Sequence, residues 1–74
     1  MKKMTLRLVR PSDFTTMYIF DEPFKGTERG IKREARKEQR LSGLGFLTAV
    51  LESPRGATVF IRGYNEKSWT KVRL

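Results

Sequence analysis

Apolar and polar positions alternate from the start of the chain: Met4, Leu6 and Leu8 are set against Thr5, Arg7 and Val9. That period of two is the mark of a strand with one buried face. Pro11-Ser12-Asp13 supplies turn residues, each of which favours a chain reversal for its own reason. Thr15–Phe20, TTMYIF, is β-branched and aromatic, so it predicts a second strand in a hairpin with the first. Pro23 and Gly26 close it.

The period then changes. Thr27 is placed to cap a helix running to Arg40 or Leu41, with Glu28 in its first turn and Gly43 just past its end. Acidic first turns and glycine-terminated ends complement the backbone groups left free there. Gly30 weakens that helix by about 1 kcal/mol relative to alanine.

Strand spacing returns in Gly45–Glu52, GFLTAVLE, with Phe46, Thr48 and Val50 on one side and Leu47, Ala49 and Leu51 on the other. Such a strand suits a central position covered on both faces. Ser53-Pro54-Arg55-Gly56 has the proline and glycine of a β-turn. ATVFIR (Ala57–Arg62) and SWTKVRL (Ser68–Leu74) are two further strands, joined as a hairpin through Gly63–Lys67. Residues 1–74 therefore predict a single small α+β domain: an antiparallel sheet of about five strands, one helix packed on one face, in the order β-β-α-β-β-β. Core packing is the expected place of Phe14, Phe24, Phe46 and Phe60.

At about 100° per residue, Ile31 and Ala35 share one stripe of the helix with Ser42 close by, a thin apolar face for the sheet. Arg29, Lys32, Arg33, Arg36, Lys37 and Arg40 fall in an arc of about 140° opposite it. Lys32, Arg36 and Arg40 form one ladder of four-residue spacing, and Arg29, Arg33 and Lys37 a second. Each like-charged pair costs a few tenths of a kcal/mol, which Glu28 and Glu34 offset only in part. A helix made for solubility alone would interleave the signs, so the segregation points to a binding surface, while a merely solvated basic face is the plainer alternative.

Composition sharpens this. The balance of 16 Lys plus Arg against 8 Asp plus Glu leaves a formal charge of +8, which attracts anionic partners, nucleic acid or acidic protein alike. Cysteine and histidine are both absent. Thiolate and imidazole chemistry, and the zinc sites built from them, are excluded, so no catalytic residue, cofactor or metal is expected and the chain reads as a non-enzyme. No apolar run approaches the roughly 18 residues of a membrane span, and MKKMTLRLV lacks a signal peptide's apolar core and cleavage site. A cytoplasmic protein without a small-molecule substrate is the expectation.

Tyr64 and Trp69 stand among Arg62, Lys67, Lys71 and Arg73 in the last hairpin. They could stack on bases or anchor an interface, or simply cover the sheet as a cross-strand pair. Tyr18 and Phe20 share one face of the second strand, but no glycine–aromatic signature of an RNA-recognition sheet accompanies them. The spacing of Asp13, Asp21 and Glu22 fits no calcium loop, and turns explain them.

Three of these segments together carry a resemblance: the helix KREARKEQ (Lys32–Gln39), a glycine-led strand ending TAVLES, and the hairpin VFIRGYNEKSWTKV. The chain resembles the small phage-encoded type I-F anti-CRISPR proteins of the ninth described group over its C-terminal two thirds. The most specific element is Lys32, Arg33, Ala35, Lys37, Glu38 and Gln39, while Ser42–Gly45 and the Pro54-Arg55-Gly56 turn depart from the pattern. The resemblance implies strands with one helix in the order above. It also implies inhibition of the type I-F CRISPR surveillance complex, by binding its backbone subunits and blocking hybridisation of target DNA. Lys32, Arg33, Lys37 and Gln39 would then contribute to the contact, with Arg36 and Arg40 extending the charge; the helix wheel adds Arg29 to the same partner-binding face. Two alternatives stand beside it: a small nucleic-acid-binding protein using the same helix on phosphates, and a phage host-takeover protein aimed at another factor in the host cytoplasm.

Overall fold

The structure is a computed structural model and describes residues 2–56 and 58–72. The strand ends expected at Ala57, Arg73 and Leu74 lie outside the described residues. Six strands and one helix follow in the order β1 (Lys2–Val9), β2 (Thr16–Ile19), β3 (Phe24–Gly26), α1 (Glu28–Leu41), β4 (Thr48–Glu52), β5 (Val59–Arg62) and β6 (Thr70–Val72). The domain is α+β, with one antiparallel sheet in the order β2-β1-β4-β5-β6, β3 pairing with β1, and the helix packed on one face.

β1 organises the sheet. One of its edges pairs with β4, from Thr5 opposite Glu52 to Val9 opposite Thr48. Its other edge is shared: the C-terminal half takes β2, with Leu8 opposite Tyr18, and the N-terminal half takes β3, with Lys3 opposite Lys25. The Asp21–Pro23 excursion separates these two short strands, and proline lacks the N–H a ladder needs there. The sequence pattern merged this region into the close of the second strand; the third strand is too short, at three residues, to show a period.

The alternation of β1 holds. Met4, Leu6 and Leu8 point under the helix and are buried with Ile31, Ala35, Leu47, Ala49, Leu51 and Phe60 in one cluster. Each large apolar side chain so enclosed contributes about 1.5–3 kcal/mol. Thr27 caps the helix, its Oγ1 accepting from the Gly30 N–H at 3.1 Å. At the other end Gly43 adopts φ 75°, its N–H reaching the Arg40 carbonyl and that of Leu44 the Gln39 carbonyl. This paired closure requires a left-handed residue, which glycine supplies without a Cβ penalty.

Two of the four phenylalanines expected inside are outside. Phe14 is 48 % exposed and Phe46 63 % exposed. A turn donates the Leu47 N–H to the Leu44 carbonyl, turning Leu44 and Leu47 inward and leaving Phe46 at the solvent side. β4 accordingly begins at Thr48, and its residues through Leu51 are buried. Among the described residues no helix is long and apolar enough to cross a membrane.

Candidate functional site

The helix lies over β1, β3 and β4, and its backbone stops short of β5 and β6. The helix-facing side of the β5–β6 hairpin is therefore left as the floor of an open groove, with one flank of α1 as its wall. Alternation along β5 puts Phe60 and Arg62 on that face, and the antiparallel register that sets Ile61 opposite Thr70 brings Trp69 beside Arg62. Among the described residues eight cationic side chains line the groove, Arg29, Lys32, Arg33, Arg36, Lys37 and Arg40 from the helix with Arg62 and Lys67 from the hairpin, and no carboxylate does. Gln39, Tyr64 and Trp69 line it too.

The six helix cations thus share one concavity, but not on equal terms. Arg29, Arg33, Arg36, Lys37 and Arg40 are exposed and make no ion pair among the described residues. Lys32 is different: its ammonium sits 3.9 Å from the centre of the Phe60 ring and 3.3 Å from Glu28 Oε2. It is half-buried and partly neutralised, because its place on the wheel faces the hairpin and not the solvent. Arg36 bridges the groove, donating to the Lys67 carbonyl at 3.2 Å.

Gln39 corrects the expectation set for it. Only 1 % exposed, it is enclosed between helix and sheet and presents no side-chain surface to a partner. Its Nε2 donates to the Leu44 and Leu47 carbonyls at 3.1 and 2.9 Å, and its Oε1 accepts from Arg62 Nη2 at 2.9 Å. The four-residue spacing of Ile31, Ala35 and Gln39 carried the signal, since that row is the core stripe.

Arg62 is the site residue that sequence reasoning passed over. It is 8 % exposed, at an inward position of β5, with Nη1 donating to the Glu66 carbonyl at 2.8 Å. Burial, then repulsion from Arg36, lowers its pKa from the usual guanidinium value, and Glu66 offsets part of this. Glu66 itself accepts from the Gly63 N–H at 2.7 Å, tightening the turn on which Tyr64 stands 58 % exposed. Trp69 packs half-buried against the core margin, with the Arg62 guanidinium 5.7 Å from its ring centre. Of the two aromatics proposed for stacking, only Tyr64 offers a free ring; Trp69 is seated in the groove floor.

At the opposite sheet edge Tyr18, Phe20 and Phe24 stack edge to face, at 5.1 and 6.2 Å. Phe20 and Phe24 pack on the core, so this row closes the core's margin. The fold and groove define a small α+β domain with a concave cationic face. Comparison with known protein families, curated protein sequences and solved structures finds no match.

Proposed function

We propose that the chain is a non-enzymatic inhibitor that docks its cationic groove onto an anionic, hydrogen-bond-rich partner surface and acts by occluding it. The single observation that carries this reading is the one-signed lining of the groove, eight cations without a carboxylate among the described residues. In a domain of 74 residues, whose stability margin is only a few kcal/mol, repulsion of that kind persists where a partner relieves it. The resemblance to type I-F anti-CRISPR proteins supplies the candidate partner, the backbone subunits of the surveillance complex, and the consequence, blocked hybridisation of target DNA. The strand and helix order found here, β3 aside, is the order that resemblance implies.

Arg33 and Lys37, exposed on the outer wall, make the test. The double variant Arg33→Glu with Lys37→Glu should abolish pull-down of the surveillance complex and leave the circular dichroism melt unchanged. Undiminished capture would remove the helix face from the interface.

One observation favours a second reading, direct nucleic-acid binding: Tyr64 is exposed beside cations on both sides of the groove, the combination on which single strands stack and neutralise phosphates. Counterion release would then make affinity fall steeply with salt and almost equally across sequences. Tight, salt-sensitive gel shifts by the isolated protein, with no capture of the complex, would favour this second reading over the first.

A further inference from the structure

Within the groove two donors have nothing to donate to. Arg62 Nε and Trp69 Nε1 are sealed from solvent and lack a hydrogen-bond partner, the only buried side-chain polar atoms so left among the described residues. An unmatched buried N–H costs about 1–3 kcal/mol, more when the group is charged. Arg62 ends β5 and Trp69 immediately precedes β6, and the rest of the Arg62 guanidinium is already held from two sides, by Gln39 and the Glu66 carbonyl. The guanidinium carbon lies over the Trp69 ring, 5.7 Å from its centre, so a fixed, buried cation and an indole, each with one unmatched N–H, share the groove floor.

Arg62 has no counter-ion among the described residues either. No carboxylate lies within salt-bridge distance among the described residues, although buried charges are ordinarily paired. From these contacts we propose that Arg62 Nε and Trp69 Nε1 form a phosphate-binding subsite at the floor of the groove, with Gln39 as the positioning residue that orients the guanidinium. A phosphate group supplies more acceptor oxygens than a carboxylate and at least as much negative charge, which suits a groove lined by eight cations among the described residues. Access runs past Arg36, whose contact with the Lys67 carbonyl spans the groove and opens to admit the ligand. The subsite does not depend on the identity of the protein partner and is tested on the isolated chain.

The chain has one tryptophan, so its indole N–H is a single resonance, and the Arg62 Nε–H is readable in the same nitrogen–proton spectrum. Inorganic phosphate, acetate and chloride are titrated at matched ionic strength, with a phosphodiester, dimethyl phosphate, as a further arm that separates a free-ion site from one for a backbone phosphate. The expected result is saturable movement of both resonances with one midpoint, at a phosphate concentration at least about tenfold below that for acetate. Trp69→Phe, which removes one donor and keeps the Arg62 probe, should raise the midpoint severalfold. Arg62→Lys should abolish saturation, and Gln39→Glu should weaken it if folding persists by circular dichroism.

Several results would overturn the proposal. Equal, unsaturable drift with all salts means an adventitious ion only. Equal midpoints for phosphate and acetate remove the assignment to phosphate. Unmoved resonances with a cross-peak to long-lived water mean that solvent, not an anion, completes the two donors. Failure of the pull-down above would leave all of these readouts intact, so the two ideas fail separately.

Discussion

Arg62 and Gln39, 23 residues apart in the chain, meet side chain to side chain at 2.9 Å in the buried angle between helix and hairpin. Through Gln39 the helix end, the Leu44–Leu47 turn and β5 are tied to one amide. Gln39→Ala removes a bond from the Leu47 carbonyl and from one arm of a buried guanidinium, while the Leu44 carbonyl keeps the Leu47 N–H, and should cost about 2–4 kcal/mol in chemical denaturation. Gln39→Met keeps the volume without the hydrogen bonds and should lose nearly as much. A loss below about 0.5 kcal/mol in both would mean the network adds little.

Gly43 and Gly45 make a matched pair. Neither has an atom within 4 Å of where a Cβ would stand, but only Gly43 has positive φ, at +75°. Gly43→Ala should cost about 1 kcal/mol through backbone strain. Gly45→Ala should be near neutral. Equal losses from the two would show that space, and not the left-handed backbone, sets the effect.

Glu28 is held by two lysines, Lys2 at 2.9 Å and Lys32 at 3.3 Å. The hydrogen bond from Lys2 is the largest influence lowering its pKa below the usual carboxylate value, against a smaller opposing effect of desolvation. Because the folded value is the lower one, the stabilisation is full above the unfolded value of about 4.3 and is lost as pH falls through the folded value. At neutral pH, Glu28→Gln should cost a few tenths of a kcal/mol, as exposed pairs do. Urea midpoints of the two proteins should converge as the pH falls through the folded value; a gap that widens on acidification would reverse the sign.

Phe14 adopts φ 60° at the tip of a turn in which its N–H donates to the Arg10 carbonyl, while Asp13 bonds Arg10 and the Thr15 N–H. Asparagine tolerates that backbone and β-branched residues do not. Phe14→Asn should therefore exceed Phe14→Val in thermal stability by about 1 kcal/mol. The reverse order would assign the turn to the ring and not to the backbone.

Much of the fold was legible because period is local. The alternation of Met4, Leu6 and Leu8, the capping Thr27 and the terminal Gly43 are read from neighbours a few residues away, and the structure uses each as expected. Phe14 and Phe46 stand outside the core because turns hold them there, and hydrophobicity alone does not register those turns. The basic arc was visible on the wheel, whereas the hairpin wall that converts it to a groove requires β5 and β6 to lie outside the helix's reach. The resemblance puts Gln39 on the surface, whereas its four-residue spacing from Ile31 and Ala35 puts it on the stripe that is buried.

By itself the sequence determined the class of fold, the limits of the helix and the segregation of charge, all of which follow from backbone preference and periodicity over a turn or two. Only the tertiary structure decided which cations remain free, which one is buried, and which donors go unmatched. Those depend on strand order and on the position of the helix over the sheet. Distances between residues far apart in the chain are set by packing, and no local pattern records them.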